Sequence, residues 1–188
     1  MIACLDVDYR DSRARAACVL LESWSSQVPA HTYVADIADV RPYEPGSFYL
    51  RELPCLLTVL RVLPAIPKFL VVDGYVWVLP DGKPGLGAHL HAALHEASPV
   101  IGVAKTEFIR LRGSPLVELV YRGGSKKPLF VTSVGIGIQE AGARVRSMHG
   151  AHRIPEPLRL ADRVSRNTGA IADDTRPKQL LPKLGVDQ

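Results

Sequence analysis

At 188 residues the chain is long enough for one well-buried core and hardly long enough for two, so a single domain is expected. Its 47% hydrophobic and 22% charged content suits a globular protein, and no apolar run approaches the length of a membrane span, which argues against a membrane partner. The net charge of +4, from 23 basic and 19 acidic residues, permits a polyanionic partner without requiring one.

The opening Met1-Ile2-Ala3-Cys4-Leu5-Asp6 carries no basic leader and reads as the start of a strand running to Tyr9, with the cytoplasm as the expected compartment. Asp6 and Asp8, two apart, project from one face where that strand leaves the core. Beyond the charged turn Arg10 to Arg15, Ala16 to Leu21 and His31 to Ile37 read as two more strands, and their short connections predict an antiparallel meander. Cys4, Cys18 and Cys55 are odd in number, widely spaced and set in apolar sequence, which predicts buried free thiols.

Two prolines and a glycine stiffen the loop Arg41-Pro42-Tyr43-Glu44-Pro45-Gly46, which carries a tyrosine at its tip. A helix follows, with Glu52 near its start, Pro54 in its first turn, an apolar face of Leu53, Leu56, Leu57, Leu60 and Leu63, and a stop at Pro64. Helix-dipole electrostatics alone would account for a carboxylate at such a start. The run Phe69-Leu70-Val71-Val72-Asp73-Gly74 reads as a buried central strand ending at a turn. Carboxyl ends of such strands open onto the ligand crevice in open α/β sheets, so Asp73 is placed either for chemistry or simply to begin the turn.

Gly85 to Ala97 reads as a helix and Val100 to Ala104 as a strand leading into Lys105, a unit that brings Asp73 and Lys105 to one edge of a parallel pair. Strands over Val117 to Tyr121 and Leu129 to Val134 flank the basic turn Arg122 to Lys127. A helix over Gln139 to Met148 and another from Arg153-Ile154-Pro155-Glu156-Pro157 through Ser165 complete a domain of residues 1–166. Residues 167–188, polar and Pro-containing, read as a poorly ordered tail.

Three carboxylates stand at comparable places: Asp6 at the end of the first strand, Glu52 at a helix start and Asp73 at the end of the central strand. Converging hard oxygen ligands suit Mg²⁺ or Mn²⁺, which activates water and neutralises charge on a phosphodiester, so the pattern points to nuclease chemistry. Lys105 beside them would steady a phosphate as a compact point charge; otherwise it is a solvated strand-end lysine. His91 and His95 have zinc-compatible spacing but neither an adjoining glutamate nor a clear third ligand, so a polar helix face is expected there. Gly85-Leu86-Gly87 lacks the further glycine and the Lys-Ser/Thr of dinucleotide and triphosphate loops.

Asp6-Val7-Asp8-Tyr9, Pro42-Tyr43-Glu44-Pro45-Gly46, Phe48-Tyr49-Leu50-Arg51-Glu52, Val72-Asp73-Gly74, Gly102-Val103-Ala104-Lys105, Pro128-Leu129-Phe130-Val131 and Arg153-Ile154-Pro155-Glu156-Pro157 together resemble the motifs of the endonuclease V family, in the family's order. The resemblance implies an α/β, RNase H-like mixed sheet, three antiparallel strands followed by parallel ones, flanked by helices. It further implies a Mg²⁺-dependent endonuclease that recognises deoxyinosine in DNA or inosine in RNA and cuts the second phosphodiester on the 3′ side. By motif position Asp6, Glu52 and Asp73 are the implied metal acids and Lys105 the implied catalytic lysine. Tyr43 would be the wedge filling the gap left by an extruded base, with Gly46 and Gly74 lining the base pocket. Arg51, His89, Lys126 and Lys127 read as further nucleic-acid contacts, and a monomer is expected.

Two departures stand out. Where the family has a histidine after Ser-Val-Gly, Ser133-Val134-Gly135 leads to Ile136, which can neither ligate a metal nor carry a proton. The family's short histidine-bearing loop after Asp-Gly becomes the longer Tyr75 to Asp81. A second reading therefore stands beside the nuclease: a catalytically impaired nucleic-acid-binding relative with altered base specificity.

Overall fold

A computed structural model of the chain describes residues 1–42, 44 and 46–167. Tyr43 and the expected tail beyond residue 167 lie outside the described residues. Strict alternation along β1 (Ile2–Arg10) sends Ala3 and Leu5 into one core and Ile2 and Cys4 into another, one on each face of the sheet. The central β4 (Phe69–Asp73) divides in the same way, with Leu70 and Val72 on the first side and Val71 on the second. Burial on both faces explains why its sequence is a continuous apolar run.

Around these strands lie β2 (Arg13–Leu21), β3 (His31–Ile37), β5 (Val100–Ala104), β6 (Glu118–Val120) and β7 (Leu129–Val134). They form a seven-stranded mixed sheet in the order β3-β2-β1-β4-β5-β7-β6. The meander β1-β2-β3 is antiparallel and β1, β4 and β5 are mutually parallel, as expected. The final two strands are not parallel: β7 runs antiparallel to β5, and β6 antiparallel to β7. The antiparallel pairing of β6 with β7 follows from their connection, because a basic turn joins them directly, and a turn that short cannot make a parallel crossover.

The helices are α1 (Phe48–Arg61), α2 (Leu86–Ala93), α3 (Ile138–Ser147) and α4 (Glu156–Arg166). Leu56 and Leu60 of α1 and Leu90 of α2 pack into the first core, whereas Val145 of α3 and Ala161 of α4 pack into the second. Two helix boundaries differ from expectation. Helix α1 begins at Phe48, so Glu52 is past the first turn and Pro54 is interior, leaving a helical position without its N–H donor. Helix α2 stops at Ala93 because His95 and Glu96 take positive φ values of 52° and 61° and reverse the chain.

His91 and His95 consequently share no polar helix face. His91 is buried, its Nδ1 2.9 Å from the Ser98 carbonyl, and His95 lies beyond the helix end. Cys4, Cys18 and Cys55 are buried free thiols, as their apolar settings predicted. No helix among the described residues is long and apolar enough to cross a membrane.

Candidate active site

Pairing between β1 and β4 runs from Ile2↔Phe69 to Leu5↔Val72, so Asp6 and Asp73 occupy the next step of the same parallel register. Side chains at one step of a parallel pair share a face, which sets these carboxylates side by side where the ladder ends. Asp6 is mid-strand in β1 rather than at its end, because β1 continues to Arg10 in its pairing with β2. Asp8, two steps along the same strand, pairs with Arg10 at 3.0 Å.

Glu52 reaches the acids from α1, on the other side of the sheet. It is only 6% exposed, and its Oε2 has no hydrogen-bond partner among the described residues. Burial, reinforced by the charges of Asp6 and Asp73, pushes the Glu52 carboxyl well above the ordinary carboxylate range. Burial likewise raises Asp6, to about 6; the Ser165 hydroxyl opposes this, and the charges of Asp73 and Asp162 add to it. Acids that disturb one another in this way occupy one electrostatic neighbourhood. They are not closed into a ready-made coordination shell, since no group of three or more His, Cys, Asp or Glu among the described residues is arranged to hold a metal ion.

Lys105, just beyond β5, places its Nζ 2.6 Å from Asp73 Oδ2, as the strand-helix-strand unit predicted. Burial pulls the lysine pKa down, but the hydrogen bond to Asp73 and the charges of Asp73, Asp162 and Asp6 outweigh it and hold the ammonium above its usual value. Its backbone is held as well, because Arg153 Nη2 donates to the Lys105 carbonyl and to that of Pro128. Sequence reasoning missed Ser165 and Asp162. The fully buried Ser165 hydroxyl donates to Asp6 Oδ2 at 2.6 Å, from a position 159 residues away. The Ala-Asp-x-x-Ser run on the amphipathic last helix was the available signal, but nothing local aims it at β1.

A chamber of about 540 Å³ opens from Asp73, walled by Gly46, Gly74, Tyr49, Tyr75, His89 and Phe108 among others. Gly74, at φ 124°, turns the chain at the strand end, and Gly102 lets β5 pass beneath it: a Cβ on Gly102 would lie 2.6 Å from the Gly74 carbonyl oxygen. The lengthened loop after Gly74 is tied down. Val76 N–H donates to Thr132 Oγ1 at 2.8 Å, Trp77 Nε1 to the Ser133 carbonyl at 2.9 Å, and Tyr75 Oη to the Thr106 carbonyl at 2.8 Å.

The family model for Endonuclease V matches residues 1–163. The chain belongs to the endonuclease V family. It is 34% identical to Endonuclease V of Xanthomonas campestris over 204 residues, covering 96% of this chain and 83% of that protein. Identity to Endonuclease V of Thermus thermophilus is also 34%, over 85% of this chain and 78% of the relative. The crystal structure of Endonuclease V from Streptomyces avermitilis superposes with a TM-score of 0.67 at 28% identity, covering 88% of this chain and 79% of that one. Ciona intestinalis Endonuclease V, solved in complex with a 24mer DNA containing an inosine followed by a ribo-adenosine, shares the fold, with a TM-score of 0.71 at 22% identity over 88% of this chain and 84% of its own.

The remaining expected residues are dispersed around this centre. Arg51 is laid over the Tyr9 ring, its guanidinium carbon 3.9 Å from the ring centroid, in a cation–π contact. Lys126 and Lys127 are exposed on the β6–β7 turn, which Ser125 braces by donating its hydroxyl to the Lys127 carbonyl. Ile136 packs against the second core.

Proposed function

We propose that this protein is a divalent-metal-dependent endonuclease that acts beside a deaminated purine, deoxyinosine or inosine, and cuts the second phosphodiester on its 3′ side during repair of deaminated bases. The observation that carries this reading is the juxtaposition of Asp6, Glu52, Asp73 and Lys105 with a ring-lined chamber that begins at Asp73. The inosine-containing DNA bound by the Ciona relative supports the choice of base.

The residues present fit Mg²⁺ or Mn²⁺. Their donors are hard carboxylate oxygens, one of them a buried oxygen with no partner among the described residues, and their mutual repulsion is what a cation relieves. Asp6, Glu52 and Asp73 would hold the ion, which when bound supplies an activated water and charge neutralisation at the phosphodiester. Lys105 brings its ammonium to the same edge, where it meets a phosphate oxygen or the departing oxyanion. The chamber orients the strand by accepting an extruded base, with Gly46 and Gly74 allowing close approach of the backbone. Tyr43 is the proposed wedge, and Arg51, His89, Lys126 and Lys127 are proposed nucleic-acid contacts.

The deciding experiment incubates the protein with Mg²⁺ or Mn²⁺ and labelled inosine-containing DNA and RNA strands beside matched unmodified strands. Metal-dependent, inosine-dependent nicking is the expected result. Inosine-independent cutting, or none, would remove the reading. One observation favours the second reading, an impaired binding relative: Ile136 gives its side chain to the core and offers neither ligand nor proton carrier. If that absence limits turnover, Ile136→His raises cleavage by about 10²–10⁴-fold, the usual range for general acid–base help, without changing the bond cut.

A further inference from the structure

Tyr49 of α1 and His89 of α2 meet face to face in the wall of the chamber, their ring centroids 3.7 Å apart and their planes 10° from parallel. Stacking of this kind fixes the plane of the imidazole, and the two helices that carry the pair pack into the same core. Neither ring nitrogen of His89 has a hydrogen-bond partner among the described residues, nor does the Tyr49 hydroxyl. Most of the other chamber walls are apolar or glycine, including Leu79, Leu86 and Phe108. A largely apolar concavity with a few unspent polar groups suits a flat, mainly apolar ligand that is read at its edge.

We propose that His89, held flat by Tyr49, is a specificity-determining residue that donates an imidazole N–H to the ring carbonyl of the extruded base. This rests on the nuclease reading above and deepens it. Burial holds the His89 pKa below its ordinary value, so near neutral pH the ring is uncharged, with one donor and one acceptor. A purine carrying a carbonyl at the contacted edge accepts that N–H. An amino group in the same place presents a second donor and leaves both unpaired, so adenine is disfavoured where hypoxanthine is accepted. Lys83 and Arg110, also on the chamber wall, supply positive charge for the flanking phosphates.

The test compares inosine-containing and matched adenosine-containing strands for the full chain and for His89→Ala, His89→Phe and His89→Gln. Metal-dependent kcat and KM are measured, together with metal-free binding by fluorescence anisotropy. His89→Phe retains a ring to stack on Tyr49 and removes the donor, while His89→Gln restores a donor without the ring. We expect the inosine-to-adenosine ratio of kcat/KM to fall about tenfold in His89→Ala and His89→Phe, mainly through KM, and to recover in part in His89→Gln. A merely structural role would lower both strands alike and leave the ratio unchanged, and that result overturns the proposal. Wild-type discrimination retained in His89→Phe overturns this inference alone. A wild-type protein that neither cuts nor binds inosine-containing strands overturns the nuclease reading and this inference together.

Discussion

Carboxylates at the acid centre and carboxylates on the surface of this protein live under opposite conditions. On the surface, Asp36 accepts two hydrogen bonds from Arg15, at 2.6 and 2.8 Å, and Glu156 holds both Arg159 and Arg163. Hydrogen bonding to Arg15 keeps the Asp36 carboxyl below its usual range. At the centre, one oxygen of Glu52 has no hydrogen-bond partner among the described residues, Asp6 accepts from a neutral hydroxyl, and of the three only Asp73 forms an ion pair with a lysine there. Paired acids are finished structures. The central ones are stabilised only in part by the fold, which is the arrangement expected where a group must be available for binding rather than for folding.

The largest expected consequence of that difference is catalytic. Asp73→Asn keeps the side-chain shape and removes the charge, so metal-dependent cleavage should fall by roughly 10³-fold or more, the equivalent of several kcal/mol of lost metal assistance. Single-turnover cleavage of an inosine-containing strand measures this, and full activity would place the chemistry elsewhere. Lys105→Met should lower the cleavage rate by about 10²–10³-fold if its ammonium meets developing charge. Because its pair with Asp73 is about 40% exposed on each side, folding stability should change by less than about 1 kcal/mol, so urea titration and kinetics should disagree sharply for this variant.

Asp6→Asn should act in reverse on stability. Removing a buried acid that repels its neighbours should stabilise the metal-free protein by about 1–2 kcal/mol while abolishing cleavage, with thermal unfolding in chelator as the measurement. A surface acid should not behave this way. The smallest effect is that of the Asp36–Arg15 pair. The Asp36 pKa is lower in the folded than in the unfolded chain, so its contribution is fully present above the unfolded value near 3.8 and is lost as pH falls through the folded one. Asp36→Asn should cost only about 0.2–1 kcal/mol at pH 7, and that cost should vanish in strong acid.

Much of this was legible from local pattern. The alternation in Ile2 to Leu5, the apolar run ending at Asp73 and the strand leading into Lys105 each carry their meaning within a single element or a single crossover. The boundaries of α1 and α2 were less legible. Pro54 lies inside a helix whose apolar face is held by the core, and the positive φ values at His95 and Glu96 are imposed by the return toward β5. Local propensity yields to packing at such places.

What the amino-acid order alone determined is the set of reactive groups, the division of the central strands between two faces, and the register logic that brings Asp73 and Lys105 to one edge. Those features follow from the two-residue period of a strand and the handedness of a crossover, which do not depend on the rest of the molecule. Tertiary structure decided which acid would be buried with an oxygen unpartnered among the described residues, that Ser165 would reach Asp6 across 159 residues, and that Tyr49 and His89 would stack. Each of these depends on how two elements distant in sequence are set against each other, and that relation is fixed by burial of the two cores rather than by any short stretch of chain.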